Sequence, residues 1–274
     1  MSNASNFLED AVLNHFFRNS AVASPPQVFL ALYRTDPTDF DTGQEISGGG
    51  YTRQHITFNA PIPQGNVSSI TNNANIQFPE ATADWTTGSE TVGFWGIRTA
   101  LTGGNLLAYG EFKDDGRQND GKYAVTRFDQ FTVPAGRLII QFNNRASNWL
   151  RNAVLNHFFR NTAVTASPQV FLGLYISDPT SEDIGVEVSY PGYTRQTITF
   201  DAPTQSGGAA VVRNSTILNF PIPEVNVGSI PFFGIRSAAS GGNLLAYAPW
   251  AVAKEIFAGM QFSVSVGNLE ASMQ

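Results

Sequence analysis

The sequence lacks cysteine and is poor in charge. None of its 274 residues is a cysteine, which excludes disulfides, thiolate-ligated zinc and a cysteine nucleophile. Charged residues make up 14% of the chain, against roughly 25% in an average soluble protein. A polar surface with so little charge favours a protein that spends much of its area against other subunits.

A basic surface and long apolar runs are also missing. The net charge is −6 and the lysines and arginines are scattered, which argues against binding of nucleic acid through its phosphates. No apolar run approaches the roughly 18–20 residues that a membrane span needs. The N-terminal segment has no cationic start and carries Glu9 and Asp10 within its apolar pattern, unlike a secretory signal. We therefore expect synthesis in a cytoplasm, with neither nucleic acid nor a membrane as partner.

What the sequence does have is an internal duplication. The seven residues LNHFFRN at 13–19 return unchanged at 155–161, which is 142 positions further on (155 − 13). QVFLALY at 27–33 returns as QVFLGLY at 169–175 with the same spacing. The chain is therefore predicted to be two copies of one unit, a fused pseudo-dimer.

The two copies differ in length near their ends. GGNLLAY at 103–109 returns at 241–247, which is 138 positions on (241 − 103). The first copy then carries extra residues at 113–130, whose Asp, Gly and Lys content predicts an inserted hairpin or loop. Because the joint between the copies is short, two packed domains are predicted, 1–145 and 146–274.

Each copy begins with a helical pattern and continues with strand patterns. Apolar residues recur at helical spacing at the start of each copy, and Asn6 with Glu9 suggests a capping box. Roughly six to eight short strands follow, among them 69–78 and 123–133. The predicted fold class is mainly β: two tandem β-sandwich (or small barrel) domains, each preceded by an amphipathic N-terminal helix.

Two of the three histidines occupy equivalent positions in the two helices. As a functional pair they would be metal ligands or acid–base groups, but asparagine rather than a second ligand follows four residues after each. We therefore predict an interface or structural role for the motif, carried by His15, Phe16, Arg18, His157, Phe158 and Arg160.

Each copy also carries two carboxylates nine residues apart in a loop, Asp36 and Glu45 in the first. A glycosidase places two carboxylates across the scissile bond. Asp-Pro is also turn chemistry, and the glutamate precedes an arginine with which it can pair. We predict structural ion pairs, Glu45 with Arg53 and Glu187 with Arg195, and leave open whether the Asp-rich loops bind calcium.

Trp85 has no tryptophan counterpart in the second copy. An exposed tryptophan stacks on sugars, whereas a buried one serves packing or an interface, and we predict the latter. No nucleophile elbow, phosphate-binding loop, dinucleotide fingerprint or zinc-protease motif is present. The sequence thus predicts no catalytic residue, no cofactor and no metal site.

The order of the duplicated motifs resembles a family of virion structural domains in tailed bacteriophages. The motifs are LNHFFRN, VFLALY, Asp-Pro, GGGYTRQ, Phe-Pro, Gly-Ile and GGNLLAY, and they span nearly all of both copies. Members of the family are described as tail-fibre or other tail proteins, and similar β-rich domains decorate capsids.

The resemblance implies a non-enzymatic virion structural protein, made in the host cytoplasm and placed on the tail, neck or baseplate. Its expected partners are other virion proteins and further copies of itself, as a trimer or hexamer. A capsid decoration protein is one alternative. A carbohydrate-binding adhesin that uses Trp85 on a host glycan is another, and a glycan-degrading enzyme that uses Asp36 and Glu45 is the third.

Overall fold

The computed structural model describes residues 3–112, 123–143 and 145–274. Within these ranges the chain is mainly β, as predicted, with one helix at the start of each repeat. We call 3–143 the first repeat and 145–274 the second repeat. Residues 113–122 of the predicted inserted hairpin lie outside the described residues.

The elements of the first repeat are β1 (Asn3–Ala4), α1 (Asn6–Phe17), β2 (Val28–Tyr33), β3 (Gln54–Ile56), β4 (Ile62–Gln64), β5 (Val67–Thr71), β6 (Ile76–Gln77), β7 (Phe94–Arg98), β8 (Leu106–Glu111), β9 (Thr132–Val133) and β10 (Ile139–Asn143). Those of the second repeat are α2 (Asn148–Phe159), β11 (Val170–Tyr175), β12 (Gln196–Ile198), β13 (Thr204–Ser206), β14 (Ala209–Arg213), β15 (Leu218–Asn219), β16 (Gly228–Arg236), β17 (Leu244–Ile256), β18 (Ser263–Val264) and β19 (Glu270–Met273).

Each repeat folds into one larger and one smaller antiparallel sheet. The larger sheets have the orders β1-β8-β7-β2-β3 and β12-β11-β16-β17, and the smaller ones β10-β5-β4 and β13-β14-β19. A two-stranded pair, β6–β9 or β15–β18, completes each repeat. All sheets among the described residues stay open, so the small-barrel alternative is wrong.

Two of the predicted strands are shorter than expected. The predicted strand 69–78 is two strands separated by Asn72, whose buried side chain accepts from Leu138 N and donates to the carbonyls of Ala74 and Pro134. A side chain that bonds to the backbone in this way competes with the strand ladder. In the predicted strand 123–133, only Tyr123, through an isolated bridge, and β9 pair as strand.

Helix α1 is capped one residue earlier than the sequence suggested. Ser5 is the N-cap of α1 and accepts from Leu8 N at 3.2 Å, and Ser147 does the same for Leu150 at 3.1 Å. The predicted capping box of Asn6 and Glu9 is therefore wrong. The hydroxyl of a serine before the helix already satisfies the free N–H group, and this leaves Glu9 available for a different contact.

Each helix lies between the two repeats. Helix α1 packs against β8 of its own repeat and against β14 and β19 of the second. Helix α2 packs against β17 of its own repeat and against β4 and β5 of the first. The smaller sheet of each repeat is thus covered by the helix that belongs, by sequence, to the other repeat. One continuous hydrophobic core results.

Candidate assembly interface

The repeated histidines meet at the centre of the contact between the helices. The ring centroids of His15 and His157 are 4.2 Å apart. Val22 N donates to His15 Nδ1 at 3.1 Å, so Nδ1 carries no proton and the neutral ring carries it on Nε2. That Nε2–H donates across the interface to Val164 O at 2.7 Å. Each ring therefore links its own repeat to the other.

His157 repeats this arrangement with the two repeats exchanged. Val164 N donates to its Nδ1 at 3.1 Å, and its Nε2 donates to Val22 O at 2.8 Å. Burial lowers the pKa of both histidines, and for His157 the neighbouring His15 lowers the pKa further. A second proton would sit on Nδ1 and face the Val22 or Val164 N–H, so the interface requires neutral rings.

The arginine of the motif also reaches into the opposite repeat. Arg18 Nε donates to Phe200 O and Arg160 Nε to Phe58 O, both at 3.3 Å. Each guanidinium is held by a hydrogen bond to the asparagine four residues earlier in its own helix. The last residue of the motif, Asn19, lies just beyond the helix C-cap Arg18 with a φ of 52°, a left-handed conformation that asparagine tolerates.

The two phenylalanines of each motif form the apolar part of the contact. Phe17 meets Phe200 edge-to-face at 6.1 Å, and Phe159 meets Phe58 at 6.2 Å. All four motif phenylalanines are buried. At roughly 2 kcal/mol each, their burial contributes about 8 kcal/mol.

One buried position of the helices breaks this symmetry. Glu9 in α1 and Arg151 in α2 are equivalent (151 − 9 = 142), and each is only 1% exposed. Glu9 accepts from Ala210 N at 3.0 Å. Arg151 Nη2 donates to Gly65 O at 2.8 Å, and its Nε lies 3.4 Å from Ser68 Oγ. Burial, the largest cause, raises the pKa of Glu9 to about 7.

Glu9 and Arg151 were not predicted from the sequence as interface residues. The available signal was that the repeated helix carries a negative residue in one copy and a positive residue at the same position in the other. Their partners lie 201 and 86 positions away, however, so neither contact could be read from local spacing.

The loop glutamates hold ion pairs in both repeats. Arg53 donates from Nε and Nη2 to the two oxygens of Glu45 at 2.7 Å each, and Tyr51 donates to the same carboxylate at 3.1 Å. Arg53 Nη1 also donates to the carbonyls of Ala100 and Gly103. The second repeat has the same arrangement with Glu187, Arg195 and Tyr193. The glutamate of each repeat therefore serves as an anchor for two loops.

The other acids of the loop in the first repeat also have protein partners. Asp36 accepts from Thr38 N at 2.9 Å, as expected of a turn. Asp41 pairs with Arg98, and Asp39 accepts from the Tyr109 hydroxyl. In the described part of the chain, no three His, Asp or Glu side chains are grouped as metal ligands.

The pairs of Arg98 with Asp41 and of Arg236 with Asp183 were also missed. Their repetition could have indicated them, because the aspartates are 142 positions apart (183 − 41) and the arginines 138 (236 − 98).

Trp85 is fully buried. Its Nε1 donates to Gly49 O at 2.8 Å, and its ring packs edge-on against Tyr51 at 5.4 Å. Gly49 has a φ of 57°, and a Cβ there would lie 2.7 Å from Ala83 O, so the close approach requires glycine. The indole is not available to stack on a sugar.

The fold and the interface define a duplicated, mainly β protein whose signature residues serve packing between its two halves. The family model described as podophage GP4 fiber I protein gp80 matches residues 3–141 and again residues 145–272. The chain therefore belongs to this family of phage fibre proteins and carries its domain twice, which confirms the predicted resemblance.

Membership in this family gives the chain a structural role in the virion of a tailed phage. A comparison with curated proteins found no match. None of the described helices is both long and apolar enough to cross a membrane.

Proposed function

We propose that the chain is a non-enzymatic building block of the tail, neck or baseplate, and that it assembles there as a trimer or hexamer. The observation that carries the proposal is the use of the repeated residues: the motif histidines, arginines and phenylalanines join the repeats, and the loop glutamates hold arginines. The motif surface is already occupied within one chain, so contacts between chains must use other surfaces.

The second repeat offers such a surface. Ile176 and Val186 are neighbours across a turn, joined by a hydrogen bond from Ile176 N to Val186 O at 2.9 Å, and are 49% and 54% exposed. Arg34 and Gln44 hold the equivalent positions of the first repeat (176 − 34 = 186 − 44 = 142). Exposed β-branched side chains where the sister repeat is polar support a protein contact here.

Native mass spectrometry at micromolar concentration tests the oligomeric state. We expect a trimer or hexamer, weakened by Ile176→Lys with Val186→Lys and unaffected by Ile62→Lys, a change of an exposed isoleucine in the first repeat. A monomer under these conditions, with no affinity for purified particles, contradicts the proposal.

The adhesin and enzyme alternatives have less support. The adhesin relied on Trp85, which is buried. The enzyme relied on Asp36 and Glu45, which bind a backbone N–H group and Arg53. A capsid decoration role uses the same fold, and the position of the chain on the particle separates it from the proposal.

A further inference from the structure

The helix exchange bears on how the two halves recognise each other. We propose that the two repeats form an obligate, heterotypic pair. In this pair α1 is part of the folded second half and α2 is part of the folded first half. The contacts of Asp10 and Arg151 with side chains that differ between the two sheets decide which helix docks on which sheet.

Each smaller sheet is covered by the helix of the other repeat. Helix α1 packs on β14 and β19, which contribute the buried core side chains Ala210, Val212, Ala271 and Met273. Helix α2 packs in the same way on β5, whose buried residues are Ser68 and Ile70. A half that loses the other half's helix would expose this apolar face to water. Neither half is therefore complete by itself.

The path of the chain supports the same exchange of helices. Strand β10 lies in the smaller sheet of the first repeat and ends at Asn143, and the cap of α2 follows at Ser147. Helix α2 then packs on β5, the neighbour of β10. The chain thus passes directly from a sheet to the helix that covers it, although the duplication assigns that helix to the second repeat. The folded unit and the sequence repeat have different boundaries.

The two docking sites are equivalent in position but differ in their side chains. Ala210 and Ser68 correspond (210 − 68 = 142). Around Ala210 the sheet presents an N–H donor, which Glu9 accepts at 3.0 Å. Around Ser68 it presents the Gly65 carbonyl and the serine hydroxyl, which face the Arg151 guanidinium.

A homotypic pair would mismatch these groups. Two second repeats would place the Arg151 guanidinium against Ala210, which lacks the hydroxyl of Ser68. In the observed pair Gln205 Nε2 donates to Asp10 at 3.0 Å, whereas two first repeats would place Asp10 against Pro63, which has no donor (205 − 63 = 142). A polar group that loses a hydrogen-bond partner on docking is destabilising, and such a mismatch selects against the wrong partner. The matched pair is therefore first repeat with second repeat.

The test uses the full chain with a protease recognition sequence inserted between Asn144 and Arg145, cut while the protein is folded. We expect the two fragments to elute together at the volume of the uncut chain and to separate only in denaturant. After removal of the denaturant they should re-form a 1:1 complex. Two fragments that elute separately as folded monomers, or that refold into homotypic dimers in equal amount, overturn the proposal.

Charge variants of the same cut protein test the specificity. Arg151→Glu should weaken the fragment complex at least tenfold, because it removes the donors to the Gly65 carbonyl and the Ser68 hydroxyl. Arg213→Glu, at an exposed ion pair with Glu270, should change the affinity less than twofold. If both substitutions weaken the fragment complex equally, the result contradicts a role of the buried Arg151 in docking.

A measurement on the uncut chain covers the case in which the insertion prevents folding. Trp95 reports on the first repeat and Trp250 on the second when the other tryptophans are replaced by Phe. Phe17→Ala lies in α1 and contacts Phe200, and it should shift both unfolding midpoints by the same amount. A shift seen by only one reporter contradicts the obligate pair.

Discussion

His15 and His157 use both ring nitrogens in hydrogen bonds, one to each repeat. Nδ1 has no lone pair left for a metal ion, and the Nε2 proton is held by a buried carbonyl. The duplication of these histidines thus has a physical reason: each copy must present the same ring to the other at a near two-fold contact. Their chemistry serves recognition between the halves.

The histidine pair predicts a loss of stability in acid. Burial lowers the folded-state pKa below the value of 6.5 for an unfolded histidine, so the unfolded chain binds more protons between these two pKa values. The stabilisation is complete above pH 6.5 and is lost as the pH falls toward the lowered pKa. Urea unfolding between pH 5 and 7.5 measures it.

In the double variant His15→Gln with His157→Gln, the loss of stability below pH 6.5 should be much smaller. His55→Gln, a change of the exposed histidine, is the control and should leave it unchanged. If the double variant still loses the same stability in acid, that loss arises from other groups.

Glu9 predicts an effect of opposite sign. Its pKa is raised from 4.5 to about 7, so the folded chain binds more protons in this window and stability falls as the pH rises through it. Glu9→Gln keeps an oxygen for Ala210 N and removes the buried charge. At pH 8 it should stabilise the protein by about 2–3 kcal/mol in urea unfolding.

At pH 4 the same variant should have little effect, because Glu9 is then protonated in both states. Glu182→Gln, at an exposed position, should be neutral at both pH values. A stabilisation that is independent of pH would contradict a buried charge as its cause.

Among the structural elements, the loops around β2 and β3 depend on the pairs of Arg53 with Glu45 and Arg195 with Glu187. These arginines are mostly buried and bind backbone carbonyls as well as a carboxylate. Removal of one partner would leave a buried charge, which costs several kcal/mol. Because Glu45 is partly exposed, we expect Glu45→Ala to destabilise the protein by about 2–3 kcal/mol.

The control for this prediction is Glu270→Ala. It breaks the pair of Glu270 with Arg213, whose side chains are 47% and 45% exposed, and should cost less than about 1 kcal/mol. Thermal and urea unfolding measure both variants. Equal costs would mean that burial does not strengthen the loop pair.

The sequence predicted the elements whose pattern is local. Strand β2 was bounded by proline on one side and an Asp-Pro turn on the other, and the structure has it at Val28–Tyr33. The predicted strand 69–78 failed because Asn72 bonds to Pro134 and Leu138, more than 60 positions away. The helices were predicted, but the sheets that they cover were not, because a period of apolar residues does not identify its partner.

For the whole molecule, the duplication predicted two units, and the contacts add that each unit is covered by a helix of the other. The low charge of the chain is consistent with this large internal contact as well as with contacts to other virion proteins. Among the residues that the structure describes, exposed apolar side chains are more numerous in the second repeat, where Val252, Phe257 and Met260 join Ile176 and Val186. We therefore expect the second repeat to carry the main contact between chains.

A cryo-EM reconstruction of the phage particle tests the central claim most directly, that this chain is one interlocked building block which acts through contacts. We predict several copies arranged about a symmetry axis of the tail, neck or baseplate. In each copy α1 and α2 should lie side by side across a local two-fold, with the helix ends buried. Two repeats that make no contact with each other, or a single copy without symmetry-related neighbours, would contradict the account.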